Sequence, residues 1–143
     1  MDLCALQRPL DDRTQPRVDR EAAAVEDIVA AMDSGRLEIL RSRFLVEEAL
    51  AGLERNRRDV TLRLIERLGP LVDSATDDDG WYQSFRTAGI TAYDAAHLTA
   101  AVLARADVFC SCDDRLVRRA RTVAPVWLRI LLPVELAEEL TLA

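Results

Sequence analysis

From Thr91 to Arg105 the chain carries little but apolar side chains: Ala92, Ala95, Ala96, Leu98, Ala100, Ala101, Val102 and Leu103. A helix that is apolar on nearly every face is buried on more than one side. It therefore demands layers of structure around it. Short apolar runs supply the other layers. Leu37 to Leu40, Val108 to Ser111 and Val126 to Leu132 each read as a strand. Between them lie amphipathic stretches. Val18, Ala22, Val25, Ile28, Val29 and Met32 recur at helical spacing over Arg17 to Met32, and Ser34-Gly35 ends that helix. Ser42 caps a helix carrying Phe44, Leu45, Ala49, Leu50 and Leu53. Asp59 to Leu68 is a further helix, stopped by Gly69-Pro70. Trp81 to Thr87, Asp113 to Thr122 and a segment opened by Pro133 complete the set. Asp77, Asp78, Asp79 and Gly80 read as a solvated acidic turn, because the alternating ligand spacing of a calcium loop is missing.

Strands alternating with helices predict an α/β fold: a short, mainly parallel sheet with helices on both faces, in one domain over residues 1–143. A chain of 143 residues can bury such a core without staples. Composition then removes whole classes of function. All 19 basic residues are Arg, so a Walker A loop, a Schiff-base enzyme and a Lys general base are excluded. The five glycines never form a GxGxxG, which removes the dinucleotide fingerprint. A net charge of −6 gives no global basic field for nucleic acid, though a local patch can still guide it. No run approaches the length of a membrane span, and the first residues lack the pattern of a signal peptide. Three cysteines, Cys4, Cys110 and Cys112, suit free thiols in a reducing cytoplasm, and with one His they lack zinc spacing.

Right-handed crossovers bring helix N-termini and strand C-termini to one edge of a parallel sheet, where ligands bind. Three acids fall on that edge. Asp94 lies in the first turn of the apolar helix, Asp113 follows the strand ending at Ser111, and Glu48 lies within two turns of the cap Ser42. Asp2 joins them if the chain start forms a strand ending nearby. Each has a plain alternative: Asp94 completes a T-x-x-D cap with Thr91, Asp113 and Asp114 cap the next helix, and Glu48 is a surface residue beside Glu47. Clustered carboxylates repel, and a divalent cation offsets them. All-oxygen donors suit Mg²⁺ or Mn²⁺, and such a site activates water against a phosphodiester.

Several segments resemble the PIN-domain nuclease family. "DAAHLTAAVLARADVFCSCDD", from Asp94, is similar to the family's D-A-x-H-L-x-x-A helix followed by a strand ending in Thr/Ser-x-Asp. "SRFLVEEAL" resembles the segment in which a Ser precedes an acidic ligand by six positions, which selects Glu48 over Glu47. "DLCALQRPLDD" resembles the opening of a branch with an R-P-x-D-D motif after its first acidic ligand, and "ILLPVEL" resembles the closing strand and Pro-led helix.

The resemblance implies a three-layer α/β/α fold and a metal-dependent endoribonuclease, a VapC-like toxin of a toxin–antitoxin pair. Asp2, Glu48, Asp94 and Asp113 would be both catalytic residues and ligands of Mg²⁺ or Mn²⁺, with Ser111 in support. It implies an RNA substrate, a cognate antitoxin protein and a homodimer, in the cytoplasm and away from membranes. Two departures stand out. Only Met1 precedes Asp2, where the family has a central strand, so that strand is truncated or begins upstream; and Leu3 follows Asp2 where Thr or Ser is common. The alternative is a PIN-like module that no longer cuts and acts by binding protein or RNA. A small-substrate phosphatase using the same edge is a third reading. His97, one turn after Asp94, is read as structural. An Arg8–Asp pairing is expected to shape the R-P-x-D-D loop. Arg8, Arg115 and Arg118 are the candidate RNA contacts, the last two within a cluster with Arg119 and Arg121. Trp127 is expected in a strand.

Overall fold

A computed structural model of the chain describes residues 1–72 and 79–143. Asp77 and Asp78 of the acidic turn lie outside the described residues. Helices dominate: α1 Leu3–Gln7, α2 Pro16–Asp33, α3 Arg43–Leu50, α4 Arg55–Arg67, α5 Trp81–Thr87, α6 Ala92–Leu103, α7 Asp114–Val123 and α8 Pro133–Leu142. A 3₁₀ turn over Arg8–Leu10 follows α1. Among the described residues four short strands, β1 Arg41–Ser42, β2 Leu71–Val72, β3 Val108–Cys110 and β4 Arg129–Leu131, form two separate parallel pairs, β1 with β2 and β3 with β4. The chain is thus mixed α/β with parallel strands, and among the described residues the pairs do not join into one sheet.

The caps explain most helix starts. Thr91 accepts from the Asp94 N–H at 3.4 Å to begin α6, and Asp113 accepts from Arg115 and Leu116 to begin α7. Ser42 caps α3 by accepting from Leu45 at 3.4 Å. Gly80, with φ of 71°, takes the left-handed conformation that opens α5 at no steric cost. Two elements depart from the sequence reading. Leu37 to Leu40 is not a strand; pairing begins only at Arg41. The final strand is Arg129–Leu131, and Trp127 precedes it in a turn, partly exposed under the Arg105 guanidinium at 5.0 Å. Among the described residues only the Ile39 carbonyl of Leu37 to Leu40 is bonded, by the Gly69 N–H at 2.8 Å, and one bond without the repeat of a ladder does not make a strand.

Side chains alternate along β3, so its two faces feed two cores. Phe109 packs with Phe85, Leu98, Val117 and Ile130 around α5, α6, α7 and β4. Cys110 packs on the other side with Leu3, Ile28, Leu45 and Ile65, from α1, α2, α3 and α4. The apolar helix α6 is buried from Ala95 to Ala100, as its composition requires. Helix α8 lies along α2. No described helix is long and apolar enough to cross a membrane.

Candidate active site

Asp2 is 3% exposed and is the N-cap of α1, an element whose five residues are too short to show periodicity in the sequence. Its own N–H donates to the Cys110 carbonyl at 3.1 Å, which seats it at the C-terminal end of β3. Its carboxylate accepts from the Ala5 N–H at 3.0 Å and from the Cys4 thiol at 3.2 Å, and Ser111 also hydrogen-bonds to it. Burial nonetheless dominates and raises the Asp2 carboxyl above the ordinary range, against the pull of Ser111, Ala5 and Cys4.

Asp94 stands in the first turn of α6, half-buried. Thr91 both caps the helix and donates its hydroxyl to Asp94 Oδ2 at 2.7 Å, so the T-x-x-D cap read from the sequence is real. Burial raises the Asp94 carboxyl, and the fields of Asp2 and Glu48 raise it further, while Thr91 and His97 act the other way. Asp94 thus lies near two acids from distant stretches of chain, whose charges both bear on it.

Glu48 comes from the second turn of α3. Its Oε2 lies 2.8 Å from His97 Nε2, and His97 Nδ1 lies 3.5 Å from the Ser42 hydroxyl. Neighbouring Glu47 is exposed, which is the physical difference between the two acids of that pair. His97 is 5% exposed and clamps α6 to α3, a positioning role across 49 positions of sequence that no local pattern announces.

Asp113 sits at the same edge through Ser111. The Ser111 hydroxyl, fully buried, accepts from the Asp113 N–H at 3.0 Å while reaching Asp2 on its other side. The Asp113 carboxylate is exposed and occupied in capping α7. As the side chains stand, no group of three or more His, Cys, Asp or Glu among the described residues closes on one ion position. Carboxylates supply oxygen donors, which hard cations prefer over nitrogen or sulfur.

Around this edge the Arg residues divide. Arg8 pairs with Asp11 at 2.8 Å and Glu21 at 2.9 Å, the Arg–Asp pairing expected of the loop, and Arg57 also holds Asp11 at 2.8 Å. Arg119 donates to the Gly89 carbonyl at 2.6 Å and Arg121 to Ile130 and Glu135, so both are structural. Arg115 and Arg118 remain exposed beside Asp113, Arg118 reaching only its own helix at the Asp114 carbonyl.

The sequence reading passed over one contact. The Cys4 sulfur lies 3.2 Å from Asp2 Oδ1 and 3.5 Å from the Ser111 hydroxyl. The 107-residue separation between Cys4 and Ser111 hid this contact, since their proximity depends on α1 folding back against β3. The chain matches no protein-family model, no curated protein and no solved structure.

Proposed function

We propose that the chain is a PIN-like, metal-dependent endoribonuclease of three-layer α/β/α type, and the toxin of a toxin–antitoxin pair. One observation carries the reading: Asp2 is seated at the C-terminal end of β3 by its bond to the Cys110 carbonyl, while His97, one turn after Asp94 on α6, holds Glu48 of α3 at 2.8 Å, so three acids from distant segments converge on one edge. Such an arrangement is costly for a folded chain unless a cation offsets it. Asp2, Glu48 and Asp94 would hold Mg²⁺ or Mn²⁺, with Asp113 the fourth acid. A bound ion of that kind supplies a more acidic water and an offset for phosphodiester charge. The chain's own residues do the rest. His97 fixes Glu48, Thr91 fixes Asp94, and Ser111 links Asp2 to the turn bearing Asp113. Arg115 and Arg118 offer exposed cations to RNA phosphates along the same rim.

The test compares RNA cleavage by the purified protein with Mg²⁺, with a chelator, and with Asp94→Asn. Cleavage only in the first supports the proposal, and equal activity in all three defeats it. A second reading, a PIN-like module that binds without cutting, is favoured by the spacing of the acids, which do not close on one point as they stand. Calorimetry that detects RNA binding but no binding of Mg²⁺ or Mn²⁺ would select it.

A further inference from the structure

Tyr93 occupies the second position of α6, next to Asp94. Successive helix residues are about 100° apart, so His97 lies between the two around the helix, about 40° from Tyr93 and about 60° from Asp94. Tyr93, Ala96, His97 and Ala100 therefore form one stripe. The stripe is buried at Ala96, His97 and Ala100 and comes into the open at Tyr93, which is 43% exposed. His97 is the residue that holds Glu48 at 2.8 Å. Tyr93 stands one turn, or about 6 Å, nearer the helix start than that contact. Its ring thus marks the mouth of the edge where Glu48 and Asp94 lie, and its neighbours Thr91 and Ala92 are small and exposed.

An exposed aromatic ring by itself calls for no explanation. This one is set apart by what several others do. Phe44, one turn before Glu48 on α3, lies under the Arg43 guanidinium at 5.0 Å. Trp81 packs against Phe85 with 6.0 Å between ring centres, and Trp127 lies under Arg105 at 5.0 Å. Among the described residues the Tyr93 side chain has no ring partner, cation or hydrogen bond. Of the exposed large apolar side chains among those residues, it alone adjoins one of the four acids in the sequence.

An open aromatic ring takes a flat apolar face. In the nuclease reading the phosphate to be cut lies at the acids, and the base of an adjoining nucleotide is the flat face within reach. Stacking of a base on an aromatic side chain tolerates any sequence but is stronger for the larger ring system of a purine. It also requires a base that is out of a duplex. Resting on that reading, we propose that Tyr93 is a specificity residue of the site: its ring stacks on the base beside the cleaved phosphate and favours an unpaired purine there. Arg115 and Arg118, exposed beside Asp113, would hold phosphates and carry no base preference, so Tyr93 supplies it.

The test gives the whole protein a short single-stranded RNA of randomised sequence with Mg²⁺, and the cut ends are sequenced. The expected result is purine enrichment at one fixed position beside the cut. Tyr93→Ala should erase the enrichment and lower kcat/KM on the order of ten-fold, chiefly through KM. Tyr93→Leu, apolar but without a flat ring, should behave as Tyr93→Ala, whereas Tyr93→Phe and Tyr93→Trp should keep the preference. Mn²⁺ affinity and melting temperature should be the same in every variant; a rate loss matched by a loss of Mn²⁺ affinity would show that Tyr93 merely supports Asp94 and overturn the proposal. Cutting by the parent protein without purine preference, or a preference that survives in Tyr93→Ala and Tyr93→Leu, overturns it as well and leaves the nuclease reading intact. If the parent protein binds RNA without cutting it, the nuclease reading fails, and anisotropy with labelled purine-rich and pyrimidine-rich RNAs decides the contact: a preference lost in Tyr93→Ala upholds the stacking, and equal affinities overturn it. RNA that is neither cut nor bound overturns both.

Discussion

Replacing Thr91 with Ala tests how Asp94 is held. Thr91 makes two contacts with one hydroxyl: it accepts from the Asp94 N–H at 3.4 Å and donates to Asp94 Oδ2 at 2.7 Å. Loss of an N-cap costs about 1 kcal/mol. A hydroxyl–carboxylate bond adds on the order of 0.5–1 kcal/mol here, below the range for charged groups because Thr91 is exposed. Thr91→Ala should therefore destabilise the fold by roughly 1.5–2 kcal/mol in urea denaturation. It should also move Asp94. The Thr91 bond holds that carboxyl down against burial and the fields of Asp2 and Glu48, so its removal should raise the Asp94 pKa further, as read by ¹³C NMR titration of the side-chain carboxyl. Thr91→Ser keeps the hydroxyl and should restore both properties. A stability loss with no movement of the Asp94 titration, or no difference between Ala and Ser, would show that Thr91 merely caps the helix and does not tune the acid.

Three further outcomes follow from the same geometry. Burial raises Asp2, so the folded state holds its proton more tightly than the unfolded chain; stability from this group is full below the unfolded value of 3.8 and falls as pH rises toward the folded value. Asp2→Asn keeps the cap, and its advantage over the parent protein in denaturant midpoint should grow from acid to neutral pH; a constant or shrinking difference would contradict the assignment. His97→Ala removes the contact with Glu48 and leaves a hole between α3 and α6, which should cost roughly 2–3 kcal/mol, whereas a change under about 0.5 kcal/mol would show that the clamp holds nothing. The Cys110 thiol, pushed up to about 12 by burial, should resist iodoacetamide at neutral pH until denaturant is added, as peptide mass spectrometry would report.

Much of this architecture was legible because helix ends carry chemistry. Ser42, Thr91, Asp113 and Pro133 each mark a start within a residue or so of where it occurs. Long amphipathic runs such as that of α2 leave little choice, and α6 announces its burial by composition alone. The strands were harder, because β1 and β2 have two residues each and an apolar run such as Leu37 to Leu40 fits an extended wall as well as a paired strand. Strand pairing depends on which edge lies alongside, and local sequence does not encode that. The site shows the same division. The Thr91–Asp94 cap is local and was readable. The Glu48–His97 contact, the Cys4–Ser111 contact and the reach of Ser111 to Asp2 join distant segments, and only the fold brings them together. Asp94 in an apolar helix was expected to need a partner; in the structure it has the Thr91 hydroxyl and a half-exposed position.

The account depends on Asp2, Glu48 and Asp94 sharing one pocket that favours a hard cation. The most direct measurement is calorimetric titration of the purified protein with Mn²⁺, beside Asp94→Asn and a remote control, Glu26→Gln, on the exposed face of α2. The account predicts saturable binding that is lost in Asp94→Asn, unchanged in Glu26→Gln, and accompanied by a rise in melting temperature. Absence of binding to the parent protein, or binding that survives Asp94→Asn intact, would contradict it.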